Sequence, residues 1–227
     1  MIDDRMIIWS SKHKATGCIL ALPGRGQLGS DLARAWLDSD FEDTMFASVT
    51  PTLRQWYPMP YSATDQSEAV EGLEIARNVI ETYLVKIENE FDIPRNRIGL
   101  VGFSAGGVMA NYIATHSDRE LAGVVCHGGA ILEPDKIPPC RFPNMPIVLT
   151  HCMDDDVFEW HERYVPMLNG LKDKDYNVHQ VVSKYGRHTL DIEDIYYSAL
   201  ALAPRFGYSK EWVQEHKSVF AIDQEEE

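Results

Sequence analysis

Basic residues are scarce in this sequence. It contains 21 Lys and Arg residues against 35 Asp and Glu residues, which gives a formal net charge of -14 at pH 7. Nucleic acids and anionic membrane surfaces bind proteins through Lys and Arg side chains that neutralise phosphate. The composition therefore argues against nucleic acid as a partner and against adsorption to an anionic membrane.

Long apolar runs are also missing. A membrane-spanning helix needs about 20 consecutive apolar residues, and no segment approaches that length, so no membrane insertion is expected. The first ten residues place two acids and one Arg ahead of a short apolar stretch, unlike a signal peptide. We therefore expect a cytoplasmic location. The length of 227 residues predicts one domain over residues 1–227.

Cysteines are few and form no C-x-x-C pair. Their irregular spacing argues against a zinc site and against a disulfide framework. We expect no metal and no cofactor, and we expect all four cysteines to be buried free thiols. They are Cys18, Cys126, Cys140 and Cys152.

Repeats and low-complexity linkers are absent, and short apolar runs alternate instead with helical patterns. This alternation predicts an α/β fold with a mostly parallel central sheet flanked by helices. Apolar residues at intervals of three and four predict a helix from Ala69 to Ile87, with Asp65 and Glu68 as its capping box. The predicted strands are Met6–Trp9, Cys18–Leu22, Met45–Val49, Ile98–Gly102, Gly123–Cys126, Ile147–His151 and Val178–Val182.

A candidate nucleophile follows the fourth predicted strand. Ligands of open α/β sheets bind beyond the carboxyl ends of the strands. There the sequence runs Gly-Phe-Ser-Ala-Gly-Gly from Gly102 to Gly107, which fits the G-x-S-x-G nucleophile elbow. A serine on such a tight strand-to-helix turn needs small residues two positions before and after it. The motif predicts Ser104 as the nucleophile, and a Gly-rich turn is the structural alternative.

A serine nucleophile needs a base and an orienting carboxylate, which should follow it in the order Ser, acid, His. The acidic cluster Asp154 to Asp156 follows one strand, and His188 follows the next in a Gly-containing loop. His188 is the predicted base. His127 and His151 also end predicted strands and stay open as alternatives, as does a solvated loop for the carboxylates.

Acyl transfer also needs donors for the tetrahedral oxyanion. The backbone N–H of Ala105 opens the helix after the nucleophile, where N–H groups are unpaired. The loop Pro23-Gly24-Arg25-Gly26 should provide the other donor, and we expect the N–H of Arg25. A tight turn or a phosphate cradle is the alternative for this loop. The cradle is disfavoured because Asp31 enters the helix where a phosphate would lie.

Together these segments resemble the phospholipase/carboxylesterase family of α/β-hydrolases, which includes acyl-protein thioesterases. The resemblance rests on Leu22–Gly26, Gly102–Gly107 and His151–Asp155, which are similar to the oxyanion loop, elbow and acid loop of that family. It implies the α/β-hydrolase fold, with Ser104, Asp155 and His188 as the triad.

Within the acidic cluster, the family spacing counted from His151 selects Asp155. A count back from Val157 would select Asp154 instead. We prefer Asp155, since Phe158 can then serve as the hydrophobic residue three positions after the acid. Asp156 is the least favoured member.

Residues around Trp56 resemble the aromatic stretch of the family beside the acyl site, which implies a substrate-binding role; a core aromatic is the alternative. The family pattern changes at Pro23, Ala105 and Cys152, but the backbone N–H groups are kept. We therefore expect the chemistry to persist in a different pocket. Prolines 58 and 60 around residues 59 and 61 suggest a stiff loop near its mouth. No stretch is long enough for a large lid domain.

The sequence thus predicts a serine esterase that cleaves small to medium acyl esters through an acyl-enzyme. An acyl-protein thioesterase or a peptidase on the same triad is the nearest alternative, because the pocket and not the triad selects the leaving group. A small-molecule binding protein that keeps an esterase-like site is the alternative from another class. The expected partner is a small-molecule ester, and a homodimer is left open.

Overall fold

The protein is described here by a computed structural model that covers residues 6–9, 14–37, 41, 43–58 and 67–220. The strands are β1 Met6–Trp9, β2 Gly17–Leu22, β3 Thr44–Val49, β4 Ile98–Phe103, β5 Gly123–His127, β6 Pro146–Cys152 and β7 Asn177–Ser183. The α-helices are α1 Gly29–Trp36, α2 Ser67–Phe91, α3 Ala105–His116, α4 Val165–Lys172, α5 Ile192–Leu202 and α6 Lys210–Phe220. Short 3-10 or π-helical turns span Thr52–Arg54, Arg95–Arg97, Pro134–Lys136, Trp160–Tyr164 and Ala203–Phe206.

The strands form one seven-stranded sheet in the order β1-β3-β2-β4-β5-β6-β7. Strand β1 runs antiparallel to β3, and the other neighbouring pairs are parallel. The predicted fold class, a mostly parallel sheet flanked by helices, is confirmed. Since parallel strands share their carboxyl ends, the segments after β2, β4, β5, β6 and β7 open onto the same edge of the sheet.

Helices cover both faces of the sheet because side chains alternate along each strand. In β2, Leu20 and Leu22 pack with α2, α3 and α4 on one face, whereas Ile19 and Ala21 pack with α1 and α5 on the other. The residues of β2, β4, β5 and β6 are buried on both faces. This double burial explains why the strands read as continuous apolar runs.

One expectation from the sequence is wrong, and two others concern residues that the structure does not describe. Three cysteines are buried, but Cys140 is only half-buried, so the expectation of four buried thiols is wrong at this position. The cysteines are free thiols, as predicted. The proposed cap Asp65 and the stretch 59–61 lie outside the described residues. No helix within the described ranges has the length and apolar content needed to cross a bilayer.

Helix α2 allows a direct test of the layered core. Ile80 faces the sheet with 0% of its surface exposed, whereas Ile75 on the same helix is 61% exposed. Ile80→Ala should lower the free energy of unfolding by about 2–5 kcal/mol, because it removes buried methyl groups and leaves a cavity. Ile75→Ala should change it by no more than about 0.5 kcal/mol. Urea unfolding measures both, and equal losses would contradict this packing.

Candidate active site

Ser104 lies on the sharp turn between β4 and α3. Its backbone has φ 55° and ψ -119°, a combination that side-chain-bearing residues rarely adopt. The turn is fixed by main-chain hydrogen bonds: Ser104 N–H donates to the carbonyl of His127 at 2.9 Å, and Val108 N–H donates to the carbonyl of Ser104 at 3.0 Å. The strained residue is therefore held by β5 on one side and by its own helix on the other.

The glycines of the motif are required by close backbone contact. A Cβ atom at Gly102 would lie 2.1 Å from the carbonyl oxygen of Gly106. One at Gly106 would lie 1.9 Å from the carbonyl oxygen of Leu22, at the end of β2. Neither contact can relax by moving a side chain, because the obstructing atoms are backbone. The elbow thus packs directly against the strand that leads into the predicted oxyanion loop.

The predicted acid and base meet at the ends of β6 and β7. The Nδ1 atom of His188 lies 2.8 Å from Oδ2 of Asp155. The other carboxylate oxygen of Asp155 accepts the N–H groups of Val157 and Phe158 at 2.7 and 2.8 Å. Since both carboxylate oxygens are used, Asp155 is fixed in orientation and in turn orients the imidazole.

Asp155 is only 5% exposed, yet its pKa is lowered. Burial alone would raise the pKa of this carboxyl. The hydrogen bonds from His188, Phe158 and Val157 favour the charged form and outweigh that effect. Asp155 is therefore suited to act as a permanent anion beside the imidazole.

His188 lies against the elbow, with its ring centroid 5.1 Å from that of Phe103, the residue before Ser104. Its Nε2 atom is shielded from solvent and has no hydrogen-bond partner among the described residues. The link from Nε2 to the Ser104 hydroxyl is thus not closed by a hydrogen bond in this structure. Such links are often long in unliganded enzymes and tighten on substrate binding.

Gly128 lies beside the acid-base pair, and a side chain there would be strained by the positive φ of 50° and not by lack of space. A Cβ atom there would lie 3.5 Å from Nδ1 of His188 and 3.7 Å from Oδ2 of Asp155. Gly128 follows His127, whose carbonyl holds Ser104 N–H. The end of β5 therefore contacts all three predicted triad positions.

The other two aspartates of the cluster have different surroundings. Asp154 is exposed, and its Oδ1 accepts the backbone N–H of Arg187 at 2.8 Å, a bond that lowers the pKa of Asp154. Arg187 has a positive φ of 56° and directly precedes His188. Asp154 thus holds the backbone that presents His188, a role that its sequence context does not reveal. Asp156 is exposed.

The alternative bases are packed into the protein. His127 is fully buried, and its Nδ1 lies 2.8 Å from the Thr150 hydroxyl. His151 is buried as well, with Nε2 at 2.8 Å from the carbonyl of Phe158 and its ring stacked on Tyr164 at 4.6 Å. Burial lowers the pKa of both imidazoles, in His127 to about 3. His151 supports the turn whose amides hold Asp155.

The predicted oxyanion loop is bound to the segment after β3. The indole N–H of Trp56 donates to the carbonyl of Pro23 at 2.8 Å, and Gly26 N–H donates to the carbonyl of Arg54 at 2.8 Å. The Arg25 guanidinium donates to the carbonyl of Tyr57 at 3.2 Å and lies 5.5 Å from the centre of the Tyr57 ring. These contacts fix the loop beside the elbow.

Trp56 is buried, and its hydrogen bond to Pro23 makes it an anchor of the oxyanion loop. It also lines a cavity of about 360 Å³ together with Ile75 and Val79 of α2. None of Ser104, Asp155 and His188 lines this cavity. The substrate-binding role of Trp56 stays a prediction, whereas its anchoring contact was not apparent from the sequence.

Metal ligands are not gathered anywhere in the described part of the chain. No group of three or more His, Cys, Asp or Glu side chains in these ranges is arranged to hold a metal ion. The groups that meet at the sheet edge are a hydroxyl, an imidazole, a carboxylate and backbone amides. Their chemistry is that of nucleophilic acyl transfer.

Comparisons with known proteins find similar sequences. A family model described as Phospholipase/Carboxylesterase matches residues 45–184, which include Ser104 and Asp155. The chain is 28% identical over 214 residues to acyl-protein thioesterase 1 of Emericella nidulans, with 81% of this chain and 88% of the relative covered.

Solved structures share the fold. A phospholipase/carboxylesterase from Dyadobacter fermentans matches with a TM-score of 0.76 at 20% identity, covering 88% of this chain and 96% of that one. Esterase PE8 matches with a TM-score of 0.75 at 23% identity, covering 87% of this chain and 97% of that one. At these identities the likeness shows the fold alone.

The aspartate cluster gives the sharpest test of the site. Asp155→Asn should lower kcat by roughly a hundredfold or more, because the amide cannot stabilise the imidazolium that forms during attack. Asp154→Asn and Asp156→Asn should lower it by less than about tenfold, since the new amide oxygen at position 154 can still accept the Arg187 N–H and Asp156 is solvated. Steady-state kinetics measures all three. A crippled Asp154→Asn beside a nearly unaffected Asp155→Asn would contradict this assignment.

Burial of His127 makes the stability of the protein depend on pH. The pKa of this imidazole is about 3 in the folded state, against about 6.5 in the unfolded chain. Between those pH values the unfolded state binds more protons, so the free energy of unfolding should fall as the pH is lowered. The contribution is complete above about pH 6.5 and lost towards about pH 3.

His127→Asn should reduce this acid dependence, measured by urea unfolding across the same pH range. His179→Asn is the matched control, because it removes an imidazole that is exposed on β7. Identical pH profiles for wild type and His127→Asn would show that His127 takes up its proton in the folded state.

Proposed function

Since the chain belongs to the phospholipase/carboxylesterase family, we propose that it is a serine esterase that hydrolyses carboxylic esters through an acyl-enzyme on Ser104, His188 and Asp155. Membership of the family makes the chain a hydrolase of the esterase and acyl-protein thioesterase type. The observation that carries the finer proposal is the 2.8 Å contact between His188 and Asp155 beside the strained elbow of Ser104.

In the first half of the reaction, the Ser104 hydroxyl attacks the ester carbonyl while its proton passes to Nε2 of His188. Asp155 holds Nδ1–H and stabilises the imidazolium. The backbone N–H groups of Arg25 and Ala105 donate hydrogen bonds to the oxyanion, supported by the position of the loop against the elbow. His188 then protonates the leaving alkoxide, and the alcohol departs from the acyl-enzyme.

In the second half, a water molecule takes the place of the alcohol. His188 removes a proton from the water as it attacks the acyl carbonyl, and the tetrahedral intermediate collapses to release the carboxylic acid and restore Ser104. Small to medium acyl chains are the proposed substrates, because no stretch of the sequence provides a large lid domain. The small-molecule ester partner, the cytoplasmic location and the open question of a homodimer stay as the sequence predicts them.

A thioesterase activity is the second candidate. It is favoured by the relative from Emericella nidulans and by one from Schizosaccharomyces pombe, both named acyl-protein thioesterase 1. The same triad cleaves a thioester in the same steps, with a thiol in place of the alcohol. Hydrolysis rates on esters and thioesters with one common acyl chain separate the two activities.

The test of this proposal combines labelling with kinetics. Wild type should react with a fluorophosphonate probe and hydrolyse nitrophenyl esters. Ser104→Ala should keep the fold, lose the label and lower turnover by roughly a thousandfold or more. Ser198→Ala is a matched control, because Ser198 is buried in α5 away from the elbow and its hydroxyl has no hydrogen-bond partner among the described residues.

Near-native hydrolysis by Ser104→Ala would end the serine-hydrolase interpretation. Wild type that neither takes the label nor hydrolyses any ester would favour a binding protein that keeps an esterase-like site.

A further inference from the structure

A cavity of about 310 Å³ adjoins His188 on the side of α1. Its walls are Gln27, which follows the oxyanion loop, Asp31 and Leu32 of α1, Phe103 of the elbow, and residues 188–190. Imidazole and elbow therefore form one wall, and the first turn of α1 forms the opposite one. The proposed function leaves this cavity without a role.

The contact of this cavity with His188 indicates which part of an ester would bind in it. During acyl transfer the imidazole gives its proton to the leaving oxygen, so the leaving group must lie against His188. The cavity at Trp56 is lined by none of the triad residues, whereas this one includes the imidazole itself. The cavity at His188 thus lies next to the position that the alcohol half must occupy, although Ser104 itself does not line it.

The walls of the cavity combine one negative charge with aromatic and apolar surface. Asp31 is the only Asp, Glu, Lys or Arg residue among those lining it. Its Oδ2 accepts the N–H of Leu28 at a long 3.4 Å, and the residue is exposed, so the carboxylate can also face a ligand. Phe103 contributes the small exposed part of a ring that packs on His188, and Leu32 and Leu190 add apolar surface.

A carboxylate attracts an ammonium group by its charge, and the exposed part of an aromatic ring in the same cavity adds to that attraction. The net charge of -14 adds a long-range attraction for cations and a repulsion for anions. We propose that this cavity is the leaving-group site of the esterase and that Asp31 makes it prefer alcohols that carry an ammonium group. The inference rests on the proposed function, which it deepens by naming a substrate class.

The experiment compares butyrate esters of a cationic alcohol, a neutral alcohol of the same shape and an anionic alcohol. Choline provides the cation, its carbon analogue with a tert-butyl group provides the neutral isostere, and glycolate provides an anion. Wild type should prefer the choline ester over the neutral ester by about three- to tenfold in kcat/KM, the range for one partly solvated ion pair with an aromatic contact. The glycolate ester should be the poorest substrate.

Substitution of Asp31 should change this ranking mainly through KM. Asp31→Asn should bring the choline-to-neutral ratio of kcat/KM close to one, and Asp31→Lys should make the glycolate ester better than the choline ester. Asp173→Asn is the charge-matched control, because Asp173 is exposed after α4, on the helix layer opposite to α1. It should leave both the activity and the ratio unchanged.

The outcomes separate this inference from the function on which it rests. Ester hydrolysis with equal ratios in wild type and Asp31→Asn, or a wild-type preference for the neutral ester, would overturn the leaving-group assignment and leave the esterase proposal intact. A wild type that hydrolyses none of the esters and takes no fluorophosphonate label would overturn both.

Discussion

The site depends on the contact between the elbow and the end of β2. Gly106 lies so close to the carbonyl of Leu22 that no side-chain atom fits between the two backbones. This approach forces the turn at Ser104 into its strained conformation and brings the first amides of α3 next to the Pro23–Gly26 loop. Both proposed oxyanion donors are therefore positioned by backbone packing, and Trp56 holds the loop from its other side.

The acid-base half of the site depends on hydrogen bonds that compensate for burial. Asp155 is withdrawn from water, which opposes its charge, but two backbone amides and the imidazole of His188 satisfy both carboxylate oxygens. The imidazole of His188 must be held in place as well if it is to keep its contact with this carboxylate. Asp154 contributes here by accepting the backbone N–H of Arg187, so one aspartate holds the backbone before His188 and its neighbour Asp155 holds the imidazole.

Local sequence patterns were sufficient to predict the strands of the sheet and the nucleophile elbow. Strands that are buried on both faces appear in the sequence as apolar runs. The fourth predicted strand, Ile98–Gly102, therefore begins where β4 begins and ends only one residue earlier. The glycines of the elbow report a backbone contact that only glycine permits, and this makes Ser104 visible in the sequence. The count from His151 to Asp155 also selects the aspartate that the structure places beside His188.

Contacts between distant segments could not be predicted. The position of β3 between β1 and β2 depends on how the connections cross the sheet, which no local pattern encodes. The anchoring hydrogen bond of Trp56 could not be predicted, because it joins Trp56 to Pro23, 33 positions away in the chain. In the sequence, Asp31 served only to argue against a phosphate cradle, since the cavity that it lines is completed by residues 188–190 near the other end of the sequence.

The strained turn at Ser104 has a further consequence for a chain that is still being synthesised. Its geometry requires β2 beneath Gly106 and the carbonyl of His127 at the end of β5, so the elbow cannot form until β5 has emerged from the ribosome and docked. The imidazole that would activate the hydroxyl arrives later still. Under the proposed function, a nascent or partly folded chain would therefore carry an ordinary serine, and reactivity towards acyl groups would begin only when the sheet is complete.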